Sequence, residues 1–207
     1  MPETPEANRI GRPRSEASKA AILNAAWKLL QTMPLKKLSI EAIARESGVG
    51  KTTIYRWWPS KVAVVMEAFV ENVLTVTPFP KNVSATEAIA QQMASLIQAF
   101  SGEYGRIVAQ IIAEGQADPK ALASYRDRLI YPRRIAAKTV IQQGIETGEF
   151  DPNLDPELAI DMLYGPIYFR LLIGHLPLDP HFAEELPQWG LKALRISSSQ
   201  LPTNHLN

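Results

Sequence analysis

The 207-residue sequence predicts an all-α protein: an N-terminal three-helix domain of helix-turn-helix type, then a larger helical C-terminal domain. Three observations carry this reading. Apolar residues recur at helical spacing along most of the chain. Caps, glycines and prolines punctuate those stretches at intervals of a helix length. No segment keeps the period-two alternation of a half-buried strand, and no internal repeat is evident.

Residues 1–14 are rich in proline and charge and lack periodicity, so a disordered basic arm is expected there. Its Gly11-Arg12-Pro13-Arg14 reads as a short extended segment. Arg12 and Arg14 there suit an A·T-rich minor groove, though a solvated tail explains them as well. A first helix follows from about Ser15 to Met33. Ile22, Ala26, Leu29 and Met33 form one stripe, with Leu23, Trp27 and Leu30 on its flank. Pro34 ends it, because the residue before a proline is driven out of helical geometry.

Residues 39–61 are the most informative stretch. Ser39 stands where an N-cap belongs, its hydroxyl able to accept from the amides of the next turn. Ile40, Ile43 and Ala44 make an apolar stripe, and Gly48 falls where a tight inter-helix turn needs a positive φ. Val49 and Ile54 re-enter the core. Lys51, Thr52, Thr53, Tyr55 and Arg56 are left facing outward, all able to donate hydrogen bonds to nucleic acid. The spacing predicts a helix-turn-helix over about 38–57, within a DNA-binding domain over 15–75. A fourth helix, from about Ser60 to Thr75, carries Val62, Val65, Met66, Phe69, Val70 and Val73. Thr77-Pro78-Phe79-Pro80 breaks it and marks the domain boundary.

The second domain, 80–197, reads as five helices. Ser84 caps one over Ala85–Phe100, and another spans Glu103–Gln116. A long one covers Pro119–Thr147, with Pro132 expected to kink or divide it. Gly148 and Asp151-Pro152-Asn153 form a turn before helices over about 155–174 and 180–196. The tail from 198 to 207 is polar and expected to be loose. Residues 162–173 are apolar nearly all round, so that helix must be covered on both sides. A second copy of the chain is the simplest cover, and Pro166 predicts a bend.

Composition narrows the function. The chain is 46% hydrophobic and 21% charged, with no cysteine, so disulfide and thiolate chemistry are excluded. No secretory leader or spanning apolar run is read, which suits a cytoplasmic protein. The net charge is +1, yet residues 1–61 hold eleven Lys/Arg against five Asp/Glu, and the rest eleven against sixteen. A basic N-terminal domain on an acidic body is the footprint of a DNA reader. Gly50-Lys51-Thr52 imitates a phosphate-binding loop, but Arg45 stands where its first glycine should be. His175, His181 and His205 lack metal-site spacing, and Asp151, Asp155, Glu157 and Asp161 suit a helix N-terminus. No catalytic, metal or cofactor site is assigned.

Ile22-Leu23-Asn24-Ala25-Ala26, the cap and turn, and Tyr55-Arg56-Trp57-Trp58-Pro59-Ser60-Lys61 together resemble the TetR family of bacterial transcriptional regulators over residues 15–75. The chain departs from the family pattern at Trp57, often histidine, and at Gly50, often serine. The first exchange substitutes an indole N–H for a phosphate donor, and the second weakens the cap of the recognition helix. The resemblance implies a homodimeric regulator, more often a repressor than an activator. Its partners would be double-stranded operator DNA, a small-molecule effector and a second subunit. Ser39, Tyr55 and Lys61 would hold phosphates; Lys51, Thr52, Thr53 and Arg56 would lie nearest the bases, with Gly50 and Trp57 at the ends of the helix. The last two helices would form a four-helix dimer interface. An effector pocket in the helical body would draw on Met93, Ile97, Phe100, Tyr104, Tyr125, Met162, Tyr164 and Phe169. The rival reading is a helical ligand-binding protein or enzyme whose N-terminal fold is only structural.

Overall fold

The computed structural model describes residues 12–195, with side chains from Glu16 onward. Its regular elements are all helical, and the chain divides into two compact units after Glu71. The first holds α1 (Arg12–Thr32), α2 (Ile40–Ser47) and α3 (Lys51–Trp57). Helix α4 (Lys61–Val76) runs from the first unit into the second. The second then holds α5 (Ala85–Phe100), α6 (Glu103–Ala117), α7 (Pro119–Tyr125), α8 (Tyr131–Glu146), α9 (Pro156–Ile173) and α10 (Pro180–Ala193).

Helix α1 starts at Arg12, so Arg12, Pro13 and Arg14 are helical and the extended reading of that segment is corrected. A proline in the first turn loses no intrahelical bond, since that amide has no partner there anyway. Residues 1–11 and the tail from 196 lie outside the described residues. After α1 the chain makes a short 3₁₀ turn, Leu35–Lys37, which drops Leu35 into the core. Ile22, Leu30, Ile43, Ile54, Met66 and Phe69 are fully buried in this unit. Trp58 joins them at 2% exposure, its Nε1 donating to Glu67 Oε2 at 2.8 Å. The other oxygen of Glu67 meets Lys19 Nζ at 2.8 Å, tying α1 and the end of α3 to α4.

In the second unit α5 packs against α6, α8, α9 and α10. Ile89, Met93, Ile141, Phe150 and Leu163 fill the space between them. Two devices start α5. Ser84 Oγ accepts from the Glu87 amide at 3.1 Å. Glu149, from the turn after α8, accepts from the Ala85 and Thr86 amides at 3.0 and 2.9 Å. Burial raises the Glu149 carboxyl, but those amide bonds outweigh it and hold it below its usual range.

The long helix expected over Pro119–Thr147 is instead α7, a π-helical turn at Arg126–Ile130, and α8. Pro132 cannot donate, and its ring would collide with a carbonyl one regular turn earlier. Widening that turn removes the conflict: the Tyr131 amide bonds the Arg126 carbonyl, five residues back, and Pro132 falls in the first turn of α8. Gly148 adopts φ +77 as the turn after α8 requires. Helix α9 continues through Pro166 as one element, capped by Asp155 and closed by Gly174 at φ +67.

Candidate nucleic-acid interface and internal cavity

The Ser39 side chain accepts from the Ala42 amide at 3.2 Å, so the cap that starts α2 is formed. Gly48 turns the chain toward α3 at φ +69, ψ +14. Ile43 and Ile54 are fully buried and lock α2 to α3. The small buried residue on α2 is Ala42; Ala44, expected in the core, is half-buried, as is Val49. Gly50 caps α3 without a side-chain bond.

This packing leaves Lys51, Thr52, Tyr55 and Arg56 exposed on one side of α3, with Thr53 half-buried at its edge. Each retains donor capacity. Lys51 Nζ lies 3.1 Å from Glu41 Oε1, an exposed pair between α2 and α3. The Glu41 carboxyl is held below its usual range by its own backbone amide, then by Lys51. Lys61, at the start of α4, donates to the Leu35 carbonyl at 3.3 Å. Arg12 and Arg14 stand in the first turn of α1, and their side chains lie outside the described residues.

Trp57 departs from the expected role. Its Nε1 is buried and makes no hydrogen bond among the described residues, so it presents no donor outward. Its ring packs at 6.1 Å from that of Trp58, with Lys19 Nζ 5.9 Å from its centroid. At this spacing both tryptophans face inward, Trp58 completely. Glu41 and the Trp58–Glu67–Lys19 chain escaped sequence reasoning because their partners are far apart in the chain.

The second unit contains a partly open cavity of about 100 Å³. Its apolar wall includes Val73, Phe79, Leu96, Phe100, Leu129, Ile130 and Ile160; Thr77, Gln92, Arg133, Arg134, Tyr164 and Tyr168 bring polar groups to it. Of the residues expected at a pocket, Phe100 and Tyr164 line it. Met93 and Ile97 are fully buried packing, and Tyr104 is not on this wall. Tyr125 is buried beside it, its hydroxyl 3.3 Å from that of Tyr168. Met162 and Phe169 are 47% and 58% exposed, which corrects their assignment. Seven residues apart, they share the face of α9 opposite Ile160, Leu163 and Ile167. Leu158, Leu172 and Ile173 are exposed with them, and Trp189 is 65% exposed on α10.

Within the cavity, Tyr164 donates to Gln92 Oε1 at 2.6 Å. Arg133 Nη2 donates to the Thr77 carbonyl and, at 3.1 Å, to Thr77 Oγ1. Burial raises the hydroxyls of Tyr125, Tyr164 and Tyr168 above their ordinary range, so they stay neutral. Among the described residues no helix is long and apolar enough to cross a membrane.

Comparison with known proteins agrees with this geometry. Residues 22–68 match the family described as bacterial regulatory proteins, tetR family, and residues 80–188 match the tetracyclin repressor-like C-terminal domain. The uncharacterized HTH-type transcriptional regulator YdeS of Bacillus subtilis (strain 168) is 35% identical over 93% of this chain and 97% of its own. Among solved structures, the TetR family transcription regulator SCO0332 is 30% identical with a TM-score of 0.76, covering 86% of this chain and 99% of that one. The fatty acid degradation regulator FadR from Bacillus halodurans shares the fold at 17% identity, with a TM-score of 0.68 over 85% of this chain and 99% of its own. The cap, turn and exposed α3 face, with matches spanning both units, place this chain in the TetR family of HTH-type DNA-binding transcriptional regulators.

Proposed function

We propose that the protein is a cytoplasmic repressor that binds a near-palindromic operator as a homodimer and is released from it by a small molecule held in the cavity of the second unit. The observation that carries the DNA half is the α3 face: Lys51, Thr52, Tyr55 and Arg56 stand exposed on a helix whose other side is locked by Ile54. Such a helix meets base edges in the major groove while flanking donors hold phosphates. Lys51 exchanges Glu41 for DNA when the complex forms. Ser39, Tyr55 and Lys61 are assigned to the phosphates, and Lys51, Thr52, Thr53 and Arg56 to the neighbourhood of the bases.

The dimer is supported by the exposed apolar face of α9, Leu158, Met162, Phe169, Leu172 and Ile173, with Trp189 on α10. Apolar area of this kind on a soluble chain marks an association surface, and a two-fold pairing of one face with itself closes the assembly. The half-sites are then expected about 34–36 Å apart, or a multiple of that.

The experiment is an electrophoretic shift and footprint on the protein's own upstream region, with size measurement in solution. A dimer protecting two related half-sites supports the reading. Phe169→Glu places a charge on the apolar face and is expected to yield a folded monomer with much weaker operator binding. A stable wild-type monomer on one asymmetric site would reject the architecture.

A further inference from the structure

We infer that the cavity of the second unit takes a small organic anion, an apolar skeleton carrying one carboxylate, with Arg133 as its counter-ion. This rests on the effector reading above and names the ligand chemistry of that site.

Two neighbouring arginines reach the cavity and are provided for in opposite ways. Arg134 is paired with two carboxylates: Nε and Nη2 donate to Glu157 Oε2 at 3.0 and 2.6 Å, and Nη1 donates to Asp161 Oδ1 at 2.5 Å. Arg133 has no carboxylate partner among the described residues. Its bonds to them are both made by Nη2, to the neutral oxygens of Thr77, which leaves Nε and Nη1 without one. No Asp or Glu lines the cavity. The tyrosines supply no negative charge either, because burial keeps their hydroxyls protonated. Burial also pulls the Arg133 guanidinium down from its ordinary value, yet arginine keeps its charge in proteins. Arg133 is half-buried on the cavity wall, with two donor atoms unused and no counter-charge beside it, so an anion there gains a charge-assisted partner.

The donor set fits a carboxylate. A guanidinium edge offers two parallel N–H groups that match two carboxylate oxygens. Gln92 is 1% exposed, and its Oε1 is occupied by Tyr164. Its Nε2 makes no hydrogen bond to a described residue, which adds a neutral donor. Val73, Leu96, Phe100, Leu129, Ile130 and Ile160 supply the surroundings of an apolar skeleton. An apolar cavity of roughly 150 Å³ holds benzene, so about 100 Å³ calls for a compact ligand and some yielding of the wall. Leu129 and Ile130 lie on the π-helical turn, where the regular ladder is already interrupted.

The two bonds to Thr77 and the Phe79 ring, whose centroid lies 5.4 Å from the guanidinium carbon, hold Arg133 in place without supplying a negative charge. A purely structural arginine predicts no discrimination by ligand charge, and that difference is measurable. Calorimetry on the full-length protein uses benzoate, 3-phenylpropanoate and hexanoate, each paired with its primary amide. At least one acid is expected to bind with a Kd below roughly 1 mM, and its amide on the order of 10- to 100-fold more weakly. Arg133→Gln should bring the acid to the level of the amide while leaving the amide unchanged. Arg133→Lys, which keeps a charge, should retain a reduced preference. The wild-type acid–amide comparison stands even where a variant fails to fold.

Equal binding of acids and amides, binding of no acid, or an undiminished preference in Arg133→Gln would each overturn the inference. Operator titrations separate it from the reading beneath it. Amides that bind like the acids and release operator refute the anion and keep the effector site. Acids that bind with the expected preference but leave operator affinity unchanged keep the anion and refute the effector role.

Discussion

Replacing Lys61 tests the DNA-binding geometry most directly. Lys61→Met keeps an apolar stem of similar length and removes the charge, together with the 3.3 Å bond to the Leu35 carbonyl. If each subunit's Lys61 neutralises one phosphate, the slope of log affinity against log salt becomes shallower by about 0.9 per subunit, or about 1.8 for a dimer. Between 50 and 200 mM salt the wild-type protein then loses about 12-fold more affinity than the variant, or about 3.5-fold for a single contact. The loss should be equal on operator and on unrelated duplex, because a phosphate carries no base identity. Fluorescence anisotropy at several salt concentrations reads both quantities. The lost bond to Leu35 is a separate cost to folding of about 1 kcal/mol, or a few degrees in Tm, and thermal denaturation reports it independently. An unchanged salt slope, or a loss confined to the operator, would refute the assignment.

Three further outcomes are expected. Arg56→Ala should relax discrimination at one base position by about 1–3 kcal/mol in a competition series over single-base operator variants; uniform weakening would make Arg56 a phosphate contact instead. Gly144→Ala should destabilise the second unit by about 1–3 kcal/mol in urea denaturation, since the new Cβ would stand 2.3 Å from Phe150 Cδ2 and 2.9 Å from Ala85 Cβ. An unchanged midpoint would mean that Phe150 has room to move. The Lys19 amine is held above 10.5, chiefly by its hydrogen bond to Glu67, with burial opposing. A folded pKa raised in this way gives stability that is full below 10.5 and lost as pH rises through the raised value, so the wild-type advantage over Lys19→Met should fade only on the alkaline side. A difference that is constant across that range would remove the ion pair as its cause.

The sequence by itself determined what local chemistry determines. Ser39 caps α2 because its oxygen reaches an amide three residues on, Gly48 turns the chain because only glycine takes that φ cheaply, and Ile54 faces inward because the helical period puts it there. The outward set on α3 followed from the same period. Pairings across the chain were decided by the tertiary structure alone. Lys51 meets Glu41 from another helix, and Trp57 turns its indole inward because both tryptophans find room beside α1 and α4. Helix α9 shows the limit most clearly. It is apolar nearly all round, so periodicity offers no contrast by which to choose a face, and Met162 and Phe169 went to the exposed side while Tyr164 and Tyr168 reached the cavity. Nothing in the sequence distinguishes Arg133 from its neighbour Arg134. Only the packing of α8 against α9 brings Glu157 and Asp161 to one of these arginines and an apolar hollow to the other, because which neighbour a charge acquires depends on residues brought together in space rather than along the chain.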